Sequence, residues 1–227
     1  LLELTKPVAI AVVPISAGRH IYKREPSFPI AVACDPAFNF VYEANIRYLH
    51  HLGEVTYFSP LADTSLPDAD FVYLPGGYPE LYLAALSANR QMLQSIRRYV
   101  ESGGKLLAEC GGMMYLCDEI RDKNGDVYPM AGVLHQSATM ENMKLRLGYR
   151  TLLYNETRLK GHEFHYSRLV EQQNPLPSCA VAYTAKGVET DTPLYHYKNV
   201  WAGYTHLYWA DPVGNEWFTK FVIDGNT

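Results

Sequence analysis

In the first half of the chain, short apolar runs alternate with longer segments in which apolar residues recur at helical spacing. The run from Ile30 to Cys34 has no polar side, as is typical of a strand buried in a parallel sheet. The pattern predicts strands over residues 30–34, 55–58, 70–74 and 105–108, and helices over residues 42–52, 88–102 and from about 111 onward. This alternation predicts an α/β fold with a doubly wound, mainly parallel sheet flanked by helices.

The two ends of the chain differ from this pattern. After Tyr128, short strands and turns replace the helical period, which predicts extra antiparallel strands in the C-terminal half. Four prolines interrupt residues 1–29, where only residues 8–13 have the pattern of a strand. We therefore expect residues 1–29 to be a leader or linker and residues 30–227 to form the domain.

Composition narrows the classes of function. The chain has 227 residues with 20 Lys and Arg against 24 Asp and Glu, a net charge of −4. This length is ample for one domain with a full core. A mild acidic balance disfavours a nucleic-acid partner. The longest apolar stretches are about half of the ~20 residues that a membrane helix needs, so no membrane partner is expected either.

The four cysteines, Cys34, Cys110, Cys117 and Cys179, form no C-x-x-C pair and have no zinc-finger spacing to histidine. They are expected to be reduced thiols of a cytoplasmic protein. The sequence His162-Glu163-Phe164-His165 is one residue short of H-E-x-x-H and lacks helical context, so no metal site is predicted. Neither G-x-x-x-x-G-K-[ST] nor G-x-G-x-x-G occurs.

Cys110 lies at a predicted strand-to-helix turn between small residues, Ala108 and Gly112. This is the pattern of a nucleophile elbow with Cys in place of Ser. The start of a helix is expected to lower the pKa of a thiol, and the N–H of Gly111 points to an oxyanion donor. The alternative is a buried cysteine beside an ordinary glycine turn.

A second glycine turn, Gly76-Gly77, ends another predicted strand and is expected at the same sheet edge as Cys110. Its backbone N–H groups could supply a second oxyanion donor, although such turns are commonly only connections. A thiol nucleophile also needs a base. The chemistry of the residues alone does not choose between His165 and His206.

Four blocks of the sequence together resemble the glutamine amidotransferase domain of cobyrinate a,c-diamide synthases, which form amides on the corrin ring in cobalamin biosynthesis. The most specific are Gly-Gly-Tyr-Pro-Glu at residues 76–80 and Ala-Glu-Cys-Gly-Gly at residues 108–112. The blocks occupy residues 30–40, residues 58–61 with 74–81, residues 108–116, and residues 161–167 with 204–207.

The resemblance implies a class I, triad-type amidotransferase with a flavodoxin-like core. It implies that Cys110 attacks the side-chain amide of L-glutamine, that His206 is the base, and that Gly77 and Gly111 are the backbone donors of the oxyanion hole. Four further residues become candidates for the glutamine pocket, namely Gly76, Tyr78, Glu163 and His165, and for Glu163 and His165 the alternative is structural packing.

Two departures qualify this resemblance. Many class I relatives carry His-x-Glu, but Tyr208 stands where that acid would be, which fits a Cys–His dyad and leaves open what orients His206. The synthetase half, which binds ATP and Mg²⁺, has no counterpart in this sequence. No cofactor is therefore expected in this chain. Residues 1–29 would be the tail of that domain or a linker to it.

The implied partners are L-glutamine, a corrinoid acceptor bound by the synthetase domain, that domain itself and a second copy of the chain in a homodimer. Cobyrinate, hydrogenobyrinate and related acceptors are not separated by the residues present. Two other functions stay open: a stand-alone cysteine hydrolase of the same architecture that acts on another amide or ester, and a non-catalytic binding module.

Overall fold

The computed structural model describes residues 28–224. The strands are β1 Pro29–Ala33, β2 Glu54–Phe58, β3 Phe71–Leu74, β4 Lys105–Glu109, β5 Glu119–Arg121, β6 Val127–Pro129, β7 Ser137–Thr139, β8 Arg146–Tyr154, β9 Thr157–His165, β10 Arg168–Leu169, β11 Val181–Thr184, β12 Glu189–Thr190, β13 Leu194–Tyr197, β14 Val200–Gly203 and β15 His206–Leu207. The α-helices are α1 Glu43–Leu52, α2 Leu83–Ala88, α3 Arg90–Glu101, α4 Gly111–Leu116 and α5 Pro212–Thr219. A 3₁₀ turn covers Pro79–Leu81, and a π-helical turn covers Lys220–Asp224.

The central sheet has six strands in the order β13-β14-β4-β3-β1-β2. Five of them run parallel, and β13 pairs antiparallel at the edge. All four residues of β3 and of β14 are buried, which explains why these strands have no polar face. The predicted mainly parallel α/β sheet is confirmed.

Helices cover both faces of this sheet, as the doubly wound prediction required. On one face, Ala31 and Val72 pack with apolar side chains of α2, α3 and α4. On the other face, Ile30 and Trp201 pack with side chains of α1 and α5. Because neighbouring residues of a strand point to opposite faces, each buried strand contributes to both cores.

The helix predicted over residues 88–102 is confirmed as α3, whereas the separate helix α2, divided from α3 by a break at Asn89, was not predicted. The Asn89 side chain accepts a hydrogen bond from the N–H of Met92 and donates to the carbonyls of Pro60 and Asp63. Asn89 therefore caps α3 and fastens the loop before β3. Apolar spacing carries no signal for such a break.

The C-terminal half contains the predicted antiparallel strands. The long hairpin of β8 and β9 is the centre of a five-stranded sheet in the order β12-β11-β8-β9-β15, and a four-stranded sheet has the order β10-β7-β5-β6. Helix α5 was not predicted, although Asp211 caps it by accepting from the N–H of Gly214 and Pro212 is its first residue.

The predicted strand over residues 8–13 lies outside the described residues, as does nearly all of the predicted leader. Both stay predictions. Among residues 28–224, no helix combines the length and the apolar character that crossing a membrane requires.

Candidate active site

Cys110 occupies a sharp turn between β4 and α4, as predicted. Its φ of 49° and ψ of −106° are strained for a residue with a side chain. The N–H of Cys110 donates to the carbonyl of Gly203 at 2.7 Å, and its carbonyl accepts from Met114 at 3.0 Å. A Cβ on Gly112 would lie 2.1 Å from the carbonyl oxygen of Leu74, so only glycine fits there. The turn has the geometry of a nucleophile elbow.

The second glycine turn lies directly beside this elbow. A Cβ on Gly111 would lie 2.7 Å from Cδ of Pro79 and 3.2 Å from the backbone N of Gly77. Gly77 has a φ of +156°, and a Cβ there would lie 2.2 Å from the carbonyl oxygen of Ala37. The structure thus brings together the two backbone segments that were predicted to donate to an oxyanion.

His206 and Cys110 line the same narrow cavity, of about 20 Å³. The imidazole is buried and lies 4.4 Å, between ring centroids, from Phe40. On another side it lies against Gly76, where a Cβ would come within 2.1 Å of its Cε1. The cavity is lined by Phe40, Gly77, Tyr78, Cys110, Phe164 and His206.

On β9, His165 lies on the face opposite to that of His162, the residue that pairs with His206. Its ring stacks on Tyr204 at a centroid distance of 3.8 Å, and its Nδ1 lies 2.8 Å from the carbonyl oxygen of Ser167. His165 and Ser167 also line a second small cavity with Cys110. His165 therefore lines the second small cavity beside Cys110, whereas His206 lines the narrow cavity that it shares with the thiol.

The other candidates for the glutamine pocket lie in different places. Tyr78 is 42% exposed and lines both small cavities that contain Cys110. Gly76 makes room for the ring of His206. Glu163 is fully buried in an ion pair with Arg150, 2.7 Å away, and does not line either small cavity with Cys110.

A larger cavity of about 350 Å³ adjoins the nucleophile's surroundings through His165 and Ser167. Its wall includes the charged residues Arg146, Glu163, Arg168, Glu171 and Asp191. Such a lining suits a polar ligand. In residues 28–224, His, Cys, Asp and Glu side chains form no cluster of three or more that could hold a metal ion.

Sequence reasoning missed three residues of the site. His162 pairs with His206 across β9 and β15, with ring centroids 6.1 Å apart. Glu80 lines a cavity with Cys110. Glu109 is buried beside His206, with Oε2 3.9 Å from Nδ1. A carboxylate directly after the apolar run of a parallel strand, here residues 106–108, is unusual, and this was the available signal for Glu109.

Burial dominates the protonation of the site. It raises the pKa of Cys110 to about 12, with Glu80 adding to the effect, and lowers the pKa of His206 to about 3. The N–H of Gly111 at the helix start lowers the pKa of the thiol, as predicted, but burial outweighs this effect. Both groups are neutral near pH 7.

Comparison with known proteins assigns the family. The CobB/CobQ-like glutamine amidotransferase domain matches residues 29–213 of this sequence. The chain belongs to this family. It is therefore a glutamine amidotransferase domain, and the resemblance stated from the sequence is confirmed.

Curated relatives of this amidotransferase domain are longer proteins. It is 40% identical over 185 residues to the hydrogenobyrinate a,c-diamide synthase of Pseudomonas aeruginosa, covering 79% of this chain and 41% of that protein. It is also 40% identical over 188 residues to the cobyrinate a,c-diamide synthase of Fusobacterium nucleatum, covering 79% and 41%. The chain spans less than half the length of these relatives.

Solved structures agree on the fold. The amidotransferase domain superposes on PurLQS from Thermotoga maritima with a TM-score of 0.55 and 16% identity, over 87% of this chain and 96% of that one. A crystal structure described as a glutamine amidotransferase gives a TM-score of 0.55 at 16% identity, over 85% and 98%. The class I amidotransferase fold is confirmed.

Proposed function

We propose that this domain is the glutaminase part of an ATP-dependent corrinoid a,c-diamide synthase. In this proposal it hydrolyses L-glutamine through a thioester on Cys110 and supplies ammonia to side-chain carboxylates of a cobyrinate-like acceptor. The observation that carries the glutaminase activity is the shared cavity of Cys110 and His206 beside two glycine turns. The names of the relatives support the acceptor.

The proposed reaction begins with transfer of the thiol proton from Cys110 to His206. The sulfur forms a bond to the carboxamide carbon of glutamine, and the oxyanion accepts hydrogen bonds from the N–H groups of Gly77 and Gly111. One such donor stabilises a transition state by about 3 kcal/mol. His206 then protonates the departing nitrogen, so that ammonia leaves and a glutamyl thioester remains. Water, deprotonated by His206, hydrolyses this thioester to glutamate and restores the thiol.

Substrate binding must rearrange the site. A cavity of about 20 Å³ holds roughly one water molecule. A carboxamide therefore enters only when a lining side chain moves, and the partly exposed Tyr78 is the residue best placed to do so. Glu80, which lines a cavity with Cys110, is a suitable carboxylate for the α-ammonium group of glutamine. In this proposal Tyr78 and His165 form walls of the glutamine pocket, and Glu163 serves packing.

Ammonia must then reach an activated carboxylate. We place that activation, with its ATP and Mg²⁺, in a synthetase domain that contacts this one and binds the corrinoid. The reaction is assigned to the cytoplasm, where thiols such as Cys110 remain reduced.

Glutamate release from L-glutamine tests the proposed function. We expect release by this chain, loss of about 10³-fold or more in Cys110→Ser and His206→Ala, and no change in Cys34→Ser, which alters an exposed thiol. Where turnover is slow without the synthetase domain, a glutamine-analogue electrophile should label Cys110 and spare Cys110→Ser. Equal rates in the wild type and Cys110→Ser, or a strong preference for another amide or ester, would contradict the proposal.

A further inference from the structure

The sequence leaves the orientation of His206 unexplained, because no acid follows Leu207. Phe40 and Gly76 enclose the ring but offer no side-chain hydrogen-bond partner. The Nδ1 atom is buried and makes no hydrogen bond to any residue in the described part of the chain. A base whose second nitrogen is unpartnered has no fixed tautomer.

Glu109 is the carboxyl group that faces this nitrogen. It is 2% exposed, and its Oε2 lies 3.9 Å from Nδ1 of His206. The hydroxyl of Tyr73 donates to Oε2 at 2.7 Å, and the N–H of Leu207 donates to Oε1 at 2.9 Å. Both carboxylate oxygens of Glu109 therefore accept a hydrogen bond, one of them from Leu207, which directly follows His206. These bonds connect Glu109, which directly precedes Cys110, to the strand that carries His206.

We infer that Glu109 is the positioning residue of His206: its carboxylate accepts a hydrogen bond from Nδ1–H and carries the counter-charge when the imidazole becomes an imidazolium. The inference rests on the proposed function. It means that the acid missing after His206 is replaced by one from β4. With Nδ1–H directed at Glu109, the lone pair of Nε2 is the one available to the thiol of Cys110.

The distance is compatible with this role. At 3.9 Å the two atoms are within ion-pair reach but too far apart for a hydrogen bond. Catalytic hydrogen bonds in unliganded enzymes are often long and shorten in the substrate complex. A buried carboxylate without a nearby developing positive charge would be costly, and His206 is the group that develops one.

The pH dependence of activity supplies a test, because a purely structural role of Glu109 would leave the pH profile unchanged. Burial raises the pKa of Glu109 to about 8, and only its carboxylate form carries the counter-charge for the imidazolium of His206. Glutaminase activity should therefore rise with pH through about 8, which gives the pH profile an ascending limb there. The titratable groups that face Glu109 or His206 are Tyr73 from β3, Tyr42 before α1, the adjacent Cys110, and His162 and His165 from β9. Burial keeps the pKa of Tyr42 near 12 and that of Tyr73 well above 10, so neither produces this limb.

The decisive variant is Glu109→Gln. Its amide oxygen keeps the bond from Leu207, but its N–H₂ donates to Nδ1 and fixes the wrong tautomer. We expect kcat to fall by about 10²- to 10⁴-fold with little change in KM, and the limb near pH 8 to vanish. Glu109→Asp should recover part of the activity and the limb. Glu109→Gln with kcat within about threefold of the wild type and the same pH profile would overturn the inference.

A second measurement needs no turnover. Iodoacetamide alkylation of Cys110, followed by mass spectrometry across pH, reports proton transfer to His206. The midpoint, which is the pH at which the alkylation rate of Cys110 reaches half of its maximum, should rise by at least about one pH unit in Glu109→Gln. The alkylation profile of the exposed Cys34 should stay the same and serves as an internal control. If Glu109→Gln does not fold, Tyr73→Phe, which removes one donor to Glu109, should lower kcat by about fivefold. An unchanged midpoint and kcat in Tyr73→Phe would then overturn the inference.

These experiments separate the two proposals. Loss of activity in Cys110→Ser together with unchanged kinetics in Glu109→Gln would keep the glutaminase and reject the role of Glu109. Full activity in Cys110→Ser would reject the glutaminase itself.

Discussion

At the scale of single residues, the site depends as much on missing side chains as on reactive ones. Gly112 lets the elbow pack on β3, and Gly76 makes room for the imidazole of His206. The elbow was predictable because the small residues lie within two positions of Cys110. The role of Gly76 was not, since it depends on a contact between residues 76 and 206 that only the fold creates.

Gly76→Ala tests this packing. The added methyl would overlap the ring of His206 and displace the base, and a displacement of about 1 Å can cost about 100-fold in rate. We expect glutamate release to fall by that order while the melting temperature changes little. Gly187→Ala is the matched control: its φ of +74° makes alanine cost about 1 kcal/mol in stability, and open space around it predicts unchanged activity. Full activity in Gly76→Ala would contradict the contact.

At the scale of elements, the proposed base His206 lies on β15, a strand of only two residues. Strand β15 has two residues, His206 and Leu207, and the side chain of Asn45 from α1 fastens it. Asn45 is fully buried, donates to the carbonyl of Leu207 at 2.7 Å and accepts from the N–H of Trp209 at 2.9 Å. One side chain thus replaces the ladder that a longer strand would provide.

Asn45→Ala is expected to weaken both stability and activity. It leaves the carbonyl of Leu207 and the N–H of Trp209 without partners, which costs about 2–4 kcal/mol in urea unfolding, and it loosens the strand that carries His206. Arg47→Ala is the control on the same helix, because its exposed pair with Glu43 contributes less than about 1 kcal/mol. Equal effects of the two variants would refute the role assigned to Asn45.

The elements also show what the sequence could and could not predict. The parallel strands were evident because burial on both faces demands continuous apolar runs, as in β1. The cap of α5 at Asp211 was readable but overlooked. Strand β15 was not readable, since two residues have no period. Its register with β9, which places His162 beside His206, is a long-range contact and leaves no local pattern.

At the scale of the whole molecule, two buried ionisable groups tie stability to pH. Burial raises the pKa of Glu109 from 4.5 to about 8 and lowers that of His206 from 6.5 to about 3. The contribution of Glu109 is complete below pH 4.5 and is lost as pH rises to about 8, because the unfolded chain releases the proton first. The contribution of His206 is complete above pH 6.5 and is lost as pH falls towards 3.

The two contributions oppose each other between pH 4.5 and 6.5. We therefore expect these two contributions to cancel there, and the free energy of unfolding to fall from pH 6.5 to 8 by at most about 1.4 kcal/mol per pH unit through Glu109. Urea unfolding across this range measures it, and Glu109→Gln, which does not titrate, should flatten the fall. A fall of the same slope in Glu109→Gln would contradict the assignment to Glu109.

The fold as a whole serves to bring one thiol, one imidazole and two glycine turns to the same edge of a parallel sheet. The most direct test of the proposed chemistry is the mass of the protein after acid quenching during turnover of L-glutamine. The predicted result is a glutamyl adduct on the peptide that contains Cys110, absent from Cys110→Ser. Steady glutamate release without any adduct, or with an adduct on another residue, would contradict it.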